Sequence, residues 1–225
     1  AMDLSKANHA FVTGGASGIG LAIATSLAKR GLAITIVDVN EDVLAQACAG
    51  NAQFTGVVLD TRDRDGWLRV KDTAQAARGP VDVLVNNAGI APNGRGFTEM
   101  DPDSYDRILA INLGGVANGV FAFAPEMRAR GIGHIVNTSS QAGLVASVTG
   151  VGAYAVAKFG VTALSESLRL ELEPFGVGVS ALCPGYIQTN LGENTQRIGG
   201  DMRSYGQMPP STVSADDVGE MVVQG

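Results

Sequence analysis

Six short apolar runs, separated by longer segments with helical periodicity, constrain this 225-residue chain more than any other feature. They are His9–Thr13, Ala33–Asp38, Phe54–Leu59, Val81–Asn86, His134–Ser139 and Val177–Leu182. Each is almost continuously apolar and rich in Val and Ile, as strands covered on both faces are. Between them, Gly18–Arg30, Glu41–Ala49, Asp63–Arg78, Ser104–Arg130 and Tyr154–Phe175 read as helices, with Gly31 and Gly131 as C-terminal punctuation. Strict alternation implies right-handed crossovers, so the expected fold is α/β, a doubly wound parallel sheet in three layers. No repeat, low-complexity tract or linker divides the sequence, and residues 1–225 read as one domain with room for a sizeable core.

Charge and composition exclude several partners. Formal net charge is -6 with no basic block, so nucleic acid and anionic membrane surfaces are poor partners. Cys48 and Cys183 match no metal-ligand or CxxC spacing; both are expected as small core residues in a reducing, cytoplasmic setting, and no metal site is expected. Ile108–Pro125 approaches membrane-spanning length, but Asn112, Asn118, its glycines and Pro125 favour a helix buried between the sheet and a partner subunit. The opening Ala1-Met2-Asp3-Leu4 lacks a charged region followed by an apolar run, so no secretory leader is expected. Glu193–Val213 reads as a polar loop, with 192–213 expected to be a mobile substrate loop, before a helix start at Ser214-Ala215-Asp216-Asp217. The sequence stops about two turns later, where such a sheet usually adds a strand. A C-terminus continuing past Gly225 is the expectation, and closure by a partner the alternative.

The first run leads directly into Thr13-Gly14-Gly15-Ala16-Ser17-Gly18-Ile19-Gly20 and then a helix. Glycine lets backbone amides approach a pyrophosphate, and the helix N-terminus favours its charge. The pattern is Gly-x-x-x-Gly-x-Gly rather than GxGxxG, and points to a Rossmann-type dinucleotide site. Asp38 ends the second run, 18 residues past Gly20, where a carboxylate can accept hydrogen bonds from both adenosine-ribose hydroxyls. It would repel a 2′-phosphate, and neither Ser17 nor Val39 supplies a cation to attract one. NAD is therefore expected over NADP. Asp60, Thr61 and Asn86-Asn87-Ala88-Gly89 fall at the carboxyl ends of the third and fourth runs, the edge where open α/β sheets bind ligands.

Tyr154 and Lys158 stand at i and i+4 on one helical face, just after Asn137-Thr138-Ser139-Ser140 ends the fifth run. With these residues the chain resembles the short-chain dehydrogenase/reductase family from Phe11 to about Leu191. The motifs that carry the resemblance are, in order, Thr13–Gly20, Asp60, Asn86–Gly89, Asn112, Ser140 with Tyr154-x-x-x-Lys158, and Pro184-Gly185 followed by Thr189.

The resemblance implies that Tyr154 is the general acid/base, Ser140 orients the substrate oxygen, and Lys158 lowers the tyrosine pKa and binds nicotinamide-ribose hydroxyls. It further implies that Asn112 helps to hold a water linking Lys158 to solvent, and that Pro184, Gly185, Ile187 and Thr189 line the nicotinamide and phosphates. The chemistry is coherent: a free tyrosine titrates near pH ~10, so work near neutrality asks for about 3–4 kcal/mol of phenolate stabilisation, which a nearby ammonium can supply. One departure is that Ser140 precedes Tyr154 by 14 residues, where the family often has 13. An insertion within Gly143–Gly152 would absorb this. Ser139 competes for the role but faces the other side of the strand.

The expected activity is NAD-dependent interconversion of a secondary alcohol and a ketone. Substrate would enter between Gly143–Gly152, Ala91–Phe97 and Gly192–Val213, with Tyr186 a candidate contact, in a homodimer or homotetramer. The rivals are an NADPH-dependent 3-oxoacyl reductase and a non-catalytic nucleotide-binding scaffold. His9 and His134 read as strand-edge residues, Trp67 as packing for a surface helix, and Glu166, Glu171 and Glu173 as a solvated helical face beside Arg169.

Overall fold

The computed structural model describes residues 4–146, 149–197 and 211–224. Its strands are β1 (His9–Thr13), β2 (Ala33–Asp38), β3 (Phe54–Val58), β4 (Val83–Asn86), β5 (Gly133–Thr138) and β6 (Val177–Leu182). Its helices are α1 (Gly18–Lys29), α2 (Glu41–Cys48), α3 (Arg64–Arg78), α4 (Pro102–Leu109), α5 (Gly115–Arg130), α6 (Gly152–Leu172), α7 (Leu191–Arg197) and α8 (Ala215–Gln224). All pairings are parallel, in the order β3-β2-β1-β4-β5-β6. The order reverses between β1 and β4, opening a crevice at their carboxyl ends.

Alternation along each strand divides the core into two layers. Phe11, Leu84 and Ile135 face α3, α5 and α6, where the rings of Phe11, Trp67 and Phe123 meet tilted or edge-on with centroids 5.0–6.3 Å apart. Their neighbours Ala10, Val12, Val83, Val85 and Val136 face α1, α2 and α8. Trp67 thus packs its helix onto the core as expected. The three-layer Rossmann-type architecture is that read from the sequence.

Several details differ. The helix expected from Ser104 begins at Pro102, capped by Asp101 Oδ1 accepting from Ser104 N at 2.8 Å, and carries a π-helical step at Ala110–Gly114 before α5. The whole stretch Pro102–Arg130 is long and apolar enough to cross a membrane, yet 56% of its most apolar window is buried within this fold. Residues 192–197, expected at the start of the mobile loop, belong instead to α7; 198–210, part of the same expected loop, lie outside the described residues. Cys48 and Cys183 are half-buried rather than core residues. His9 is no edge residue: it opens the interior strand β1, fully buried, with Nδ1 2.9 Å from Gly79 O and Nε2 2.9 Å from Thr35 Oγ1. His134 pairs with Ser180 Oγ at 2.9 Å on neighbouring strands, and burial pulls its pKa down to about 4.

Candidate active site

The crevice is a cleft of about 910 Å³. Its floor begins at the glycine turn. Gly14 and Gly18 have φ of 59° and 53°, which a side chain would strain. A Cβ on Gly14 would come 3.0 Å from Ala88 Cα, and one on Gly20 would fall on Gly14 O. The turn is stapled across the sheet's reversal: Thr13 Oγ1 accepts from Asn87 N and Ala88 N, both at 2.9 Å, and Asn87 Nδ2 donates to Thr13 O at 3.1 Å. This glycine cradle at the start of α1 fits a dinucleotide pyrophosphate.

The residues expected to bind cofactor converge here. Gly14, Ser17, Gly18, Ile19, Asp38, Asp60, Thr61, Asn87, Ala88, Gly89, Pro184, Gly185, Ile187 and Thr189 line the one cleft together with Ser140, Tyr154 and Lys158. Gly20 and Asn112 do not line it, but each sits against residues that do, Gly20 against Gly14 and Asn87 and Asn112 against Gly89. Asp38 ends β2, with its carboxylate accepting from Asn40 N at 3.2 Å; burial raises its pKa above the usual carboxylate range. Asp60 is drawn the other way by Arg62, which grips it through a bidentate pair with Nε 3.0 Å from each oxygen.

At the far end, α6 brings Tyr154 and Lys158 to the carboxyl edge of β5. Lys158 is only 3% exposed; its amine donates to Thr138 O at 2.8 Å and lies 5.5 Å from the Tyr154 ring centroid. Burial lowers its pKa from 10.5 to about 8, opposed in part by the Cys183 thiol. Ser140 leaves β5 on extended backbone, with its Oγ accepting from Ala142 N at 3.1 Å at the mouth of a short 3₁₀ turn, Gln141–Gly143. Ser139 and Ser140 both border the cleft alongside Tyr154, but Ser139 is 1% exposed and its hydroxyl turns onto α6, donating to Lys158 O.

Asn112 sits in the π-helical step, where backbone irregularity often marks a functional position. Its carboxamide closes a reciprocal pair with Ile90, accepting from N at 2.7 Å and donating to O at 3.0 Å. A Cβ on Gly89 would meet Asn112 Oδ1 at 2.7 Å and Lys158 Nζ at 3.8 Å, so these groups crowd one spot.

Sequence reasoning missed Arg62, Arg107, Gln141 and Asn194, which also line the cleft. Asn194 was hidden because α7 was read as loop. Its Nδ2 donates to Ser17 Oγ at 3.1 Å, while Thr195 Oγ1 accepts from Ala91 N at 2.9 Å, tying α7 to both banks. Asn190 directly before Leu191, with Glu193 in the first turn, was the available helix-start signal.

Comparison with known proteins agrees with this architecture. The family described as short chain dehydrogenase matches residues 8–198. A protein of Mycobacterium tuberculosis (strain ATCC 25618 / H37Rv) named "Probable oxidoreductase EphD" is 40% identical over 185 residues, 80% of this chain but 31% of that protein, so the chain spans under a third of its length. Oxidoreductase UcpA of Escherichia coli (strain K12) is 36% identical over 191 residues, 84% of this chain and 72% of UcpA. The crystal structure of a short chain dehydrogenase/reductase from Burkholderia phymatum in complex with NAD has a TM-score of 0.89 at 30% identity, covering 99% of this chain and 86% of that one. With a match running from the start of β1 past α7, and likeness over nearly the whole fold, the chain belongs to the short-chain dehydrogenase/reductase family of oxidoreductases.

Proposed function

We propose that this chain is an NAD-dependent dehydrogenase that interconverts a secondary alcohol and a ketone, with Tyr154 as general acid/base. The observation that carries the reading is the buried Lys158 amine, held by Thr138 O and 5.5 Å from the Tyr154 ring at the end of a dinucleotide-shaped cleft. NAD, when bound, accepts or returns the hydride. Tyr154 takes the proton of the substrate hydroxyl in oxidation and gives one back in reduction. Ser140, with its oxygen already accepting from Ala142 N, donates a hydrogen bond to the substrate oxygen and fixes its position. The Lys158 ammonium, 5.5 Å from the ring centroid, favours the phenolate over the neutral phenol because an opposite charge nearby stabilises the ionised form.

Asp38 supports NAD over NADP. It is a desolvated carboxylate on the cleft wall, suited to the two hydroxyls of a ribose and opposed to a phosphate. Arg62, the cleft cation close in sequence to that end, is already neutralised by Asp60. This disfavours the NADPH-dependent 3-oxoacyl reductase, and an intact Ser140, Tyr154 and Lys158 set argues against a scaffold.

The substrate's body is apolar. Val145, Tyr186 and Leu191 line the cleft while 48%, 43% and 36% exposed, and Ile111 and Val151 line it as well. Such a rim gains from covering by hydrocarbon rather than by a polyol. Phe121, Phe159 and Leu170, exposed on α5 and α6, support association between copies through these helices. The half-buried free thiols suit a reducing cytoplasm. The test is a panel of secondary alcohols with NAD⁺ and NADP⁺, followed by reduced-cofactor absorbance. Turnover of apolar alcohols with NAD⁺ supports the reading; a silent panel, or strict preference for NADP⁺, overturns it.

A further inference from the structure

Lys158 is gripped at both ends by consecutive residues where β5 gives way to its exit. Its amine donates to Thr138 O at 2.8 Å, and its backbone carbonyl accepts the Ser139 hydroxyl at 2.9 Å. Thr162 Oγ1 lies 2.8 Å from Ser139 Oγ and 3.1 Å from the same carbonyl. Three oxygens therefore share two hydroxyl protons in a closed triangle. A helix carbonyl already receives its own ladder amide, so the bond from Ser139 occupies a second lone pair and is not needed for α6 to form. Gly143 seals the group: a Cβ there would fall on Ser139 Oγ and 2.6 Å from Lys158 O, so the 3₁₀ turn presses on α6 only because residue 143 lacks one. Further along α6, Asn137 Nδ2 donates to Ser165 Oγ at 3.0 Å, and Asn86 Nδ2 to Asn137 Oδ1 at 2.9 Å, continuing the same seam across β5 to β4.

We propose that Ser139 is a positioning residue: its hydroxyl locks α6 against the end of β5 and so holds the Lys158 amine beneath the Tyr154 phenol. The inference rests on the roles proposed above for those two residues. A lysine joins its amine to the backbone through four flexible carbons, so fixing only the amine would leave the helix free to shift beneath it. Fixing the carbonyl as well removes that freedom. Ser139 and Ser140 thus divide the work, one side chain setting the helix and the next meeting the substrate. A misplacement of about 1 Å at such a site costs on the order of 10²-fold in rate.

The experiment compares Ser139→Ala, Thr162→Val and Thr162→Ser, combining kinetics with amine-reactive labelling of the cofactor-free protein read by mass spectrometry, with Lys29 and Lys71 as internal references. Ser139→Ala should lower kcat by roughly 30- to 100-fold, with KM and NADH affinity within about 3-fold. Lys158 should label at least about 5-fold faster while the reference lysines keep their rates, because only the amine's local restraint is relaxed. Thr162→Val should move both readouts in the same direction, and Thr162→Ser, which keeps the hydroxyl, should restore them. If Ser139→Ala does not fold, the Thr162 pair gives the same decision. Unchanged Lys158 labelling, or equal acceleration at all three lysines, would overturn the proposal. The labelling uses no substrate, so a wild-type chain inactive on every alcohol refutes the proposed function while this result remains readable.

Discussion

Replacing Lys158 by Met should make the cofactor-free protein more stable at neutral pH. The amine is 3% exposed, and burial lowers its pKa from 10.5 to about 8. That gap of about 2.5 pH units corresponds to about 3 kcal/mol by which folding disfavours the charged form. The unfolded chain binds more protons between pH ~8 and ~10.5, so wild-type stability rises with pH through that window. Below it the full penalty operates; above it none does. Met keeps the unbranched stem and removes the charge, but also removes the bond to Thr138 O, worth about 1 kcal/mol. The net expectation is about 2 kcal/mol of stabilisation at pH 7, or a melting temperature roughly 4–8 °C higher, shrinking toward zero and changing sign as pH nears ~10.5. Urea denaturation of both proteins at pH 7 and 9.5 measures it. A variant less stable at pH 7, or a difference independent of pH, would refute the reasoning. Confirmation would show stability given up to keep a cation where chemistry needs it.

Other predictions rest on the cleft and its walls. Asp38→Ala should weaken NADH binding by about 10- to 100-fold through lost charge-assisted hydrogen bonds and improve NADPH binding, as fluorescence titration would show. Gly119→Ala should lower the melting temperature: its Cβ would fall on Asn86 Oδ1 and 2.8 Å from Trp67. Overpacking of about 1–3 kcal/mol outweighs the helix-propensity gain of ~1 kcal/mol. Among secondary alcohols of similar size, each added buried methylene should raise kcat/KM by about 4-fold until the rim is filled, whereas added hydroxyls should lower it; a panel preferring polyols would contradict the apolar lining.

Most of the layered fold was legible because the interior strands are buried on both faces, and continuous runs such as Ala33–Asp38 leave no other reading. Strand order was not, since β1 pairing with β4 is set by packing rather than by local pattern. The site was legible where chemistry demands particular residues, as at Gly14, Asp38, Tyr154 and Lys158. It was hidden where the backbone decides. The π-helical step that places Asn112 has no periodic signature, and α7 carries too little apolar surface to stand out from a polar loop. Strand alternation already set Ser139 apart from Ser140; what the sequence could not show is that its hydroxyl reaches the Lys158 carbonyl on α6. His9 looked like an edge because it begins a run, but its strand is interior and its ring satisfied.

The central claim is that the Tyr154 hydroxyl moves the substrate's proton. Tyr154→Phe removes that oxygen and leaves the ring beside Lys158. Turnover of a secondary alcohol should fall by about 10³-fold or more while NADH binds within about 2-fold of wild type. A Tyr154→Phe variant that still oxidises the alcohol at a wild-type rate would contradict the account.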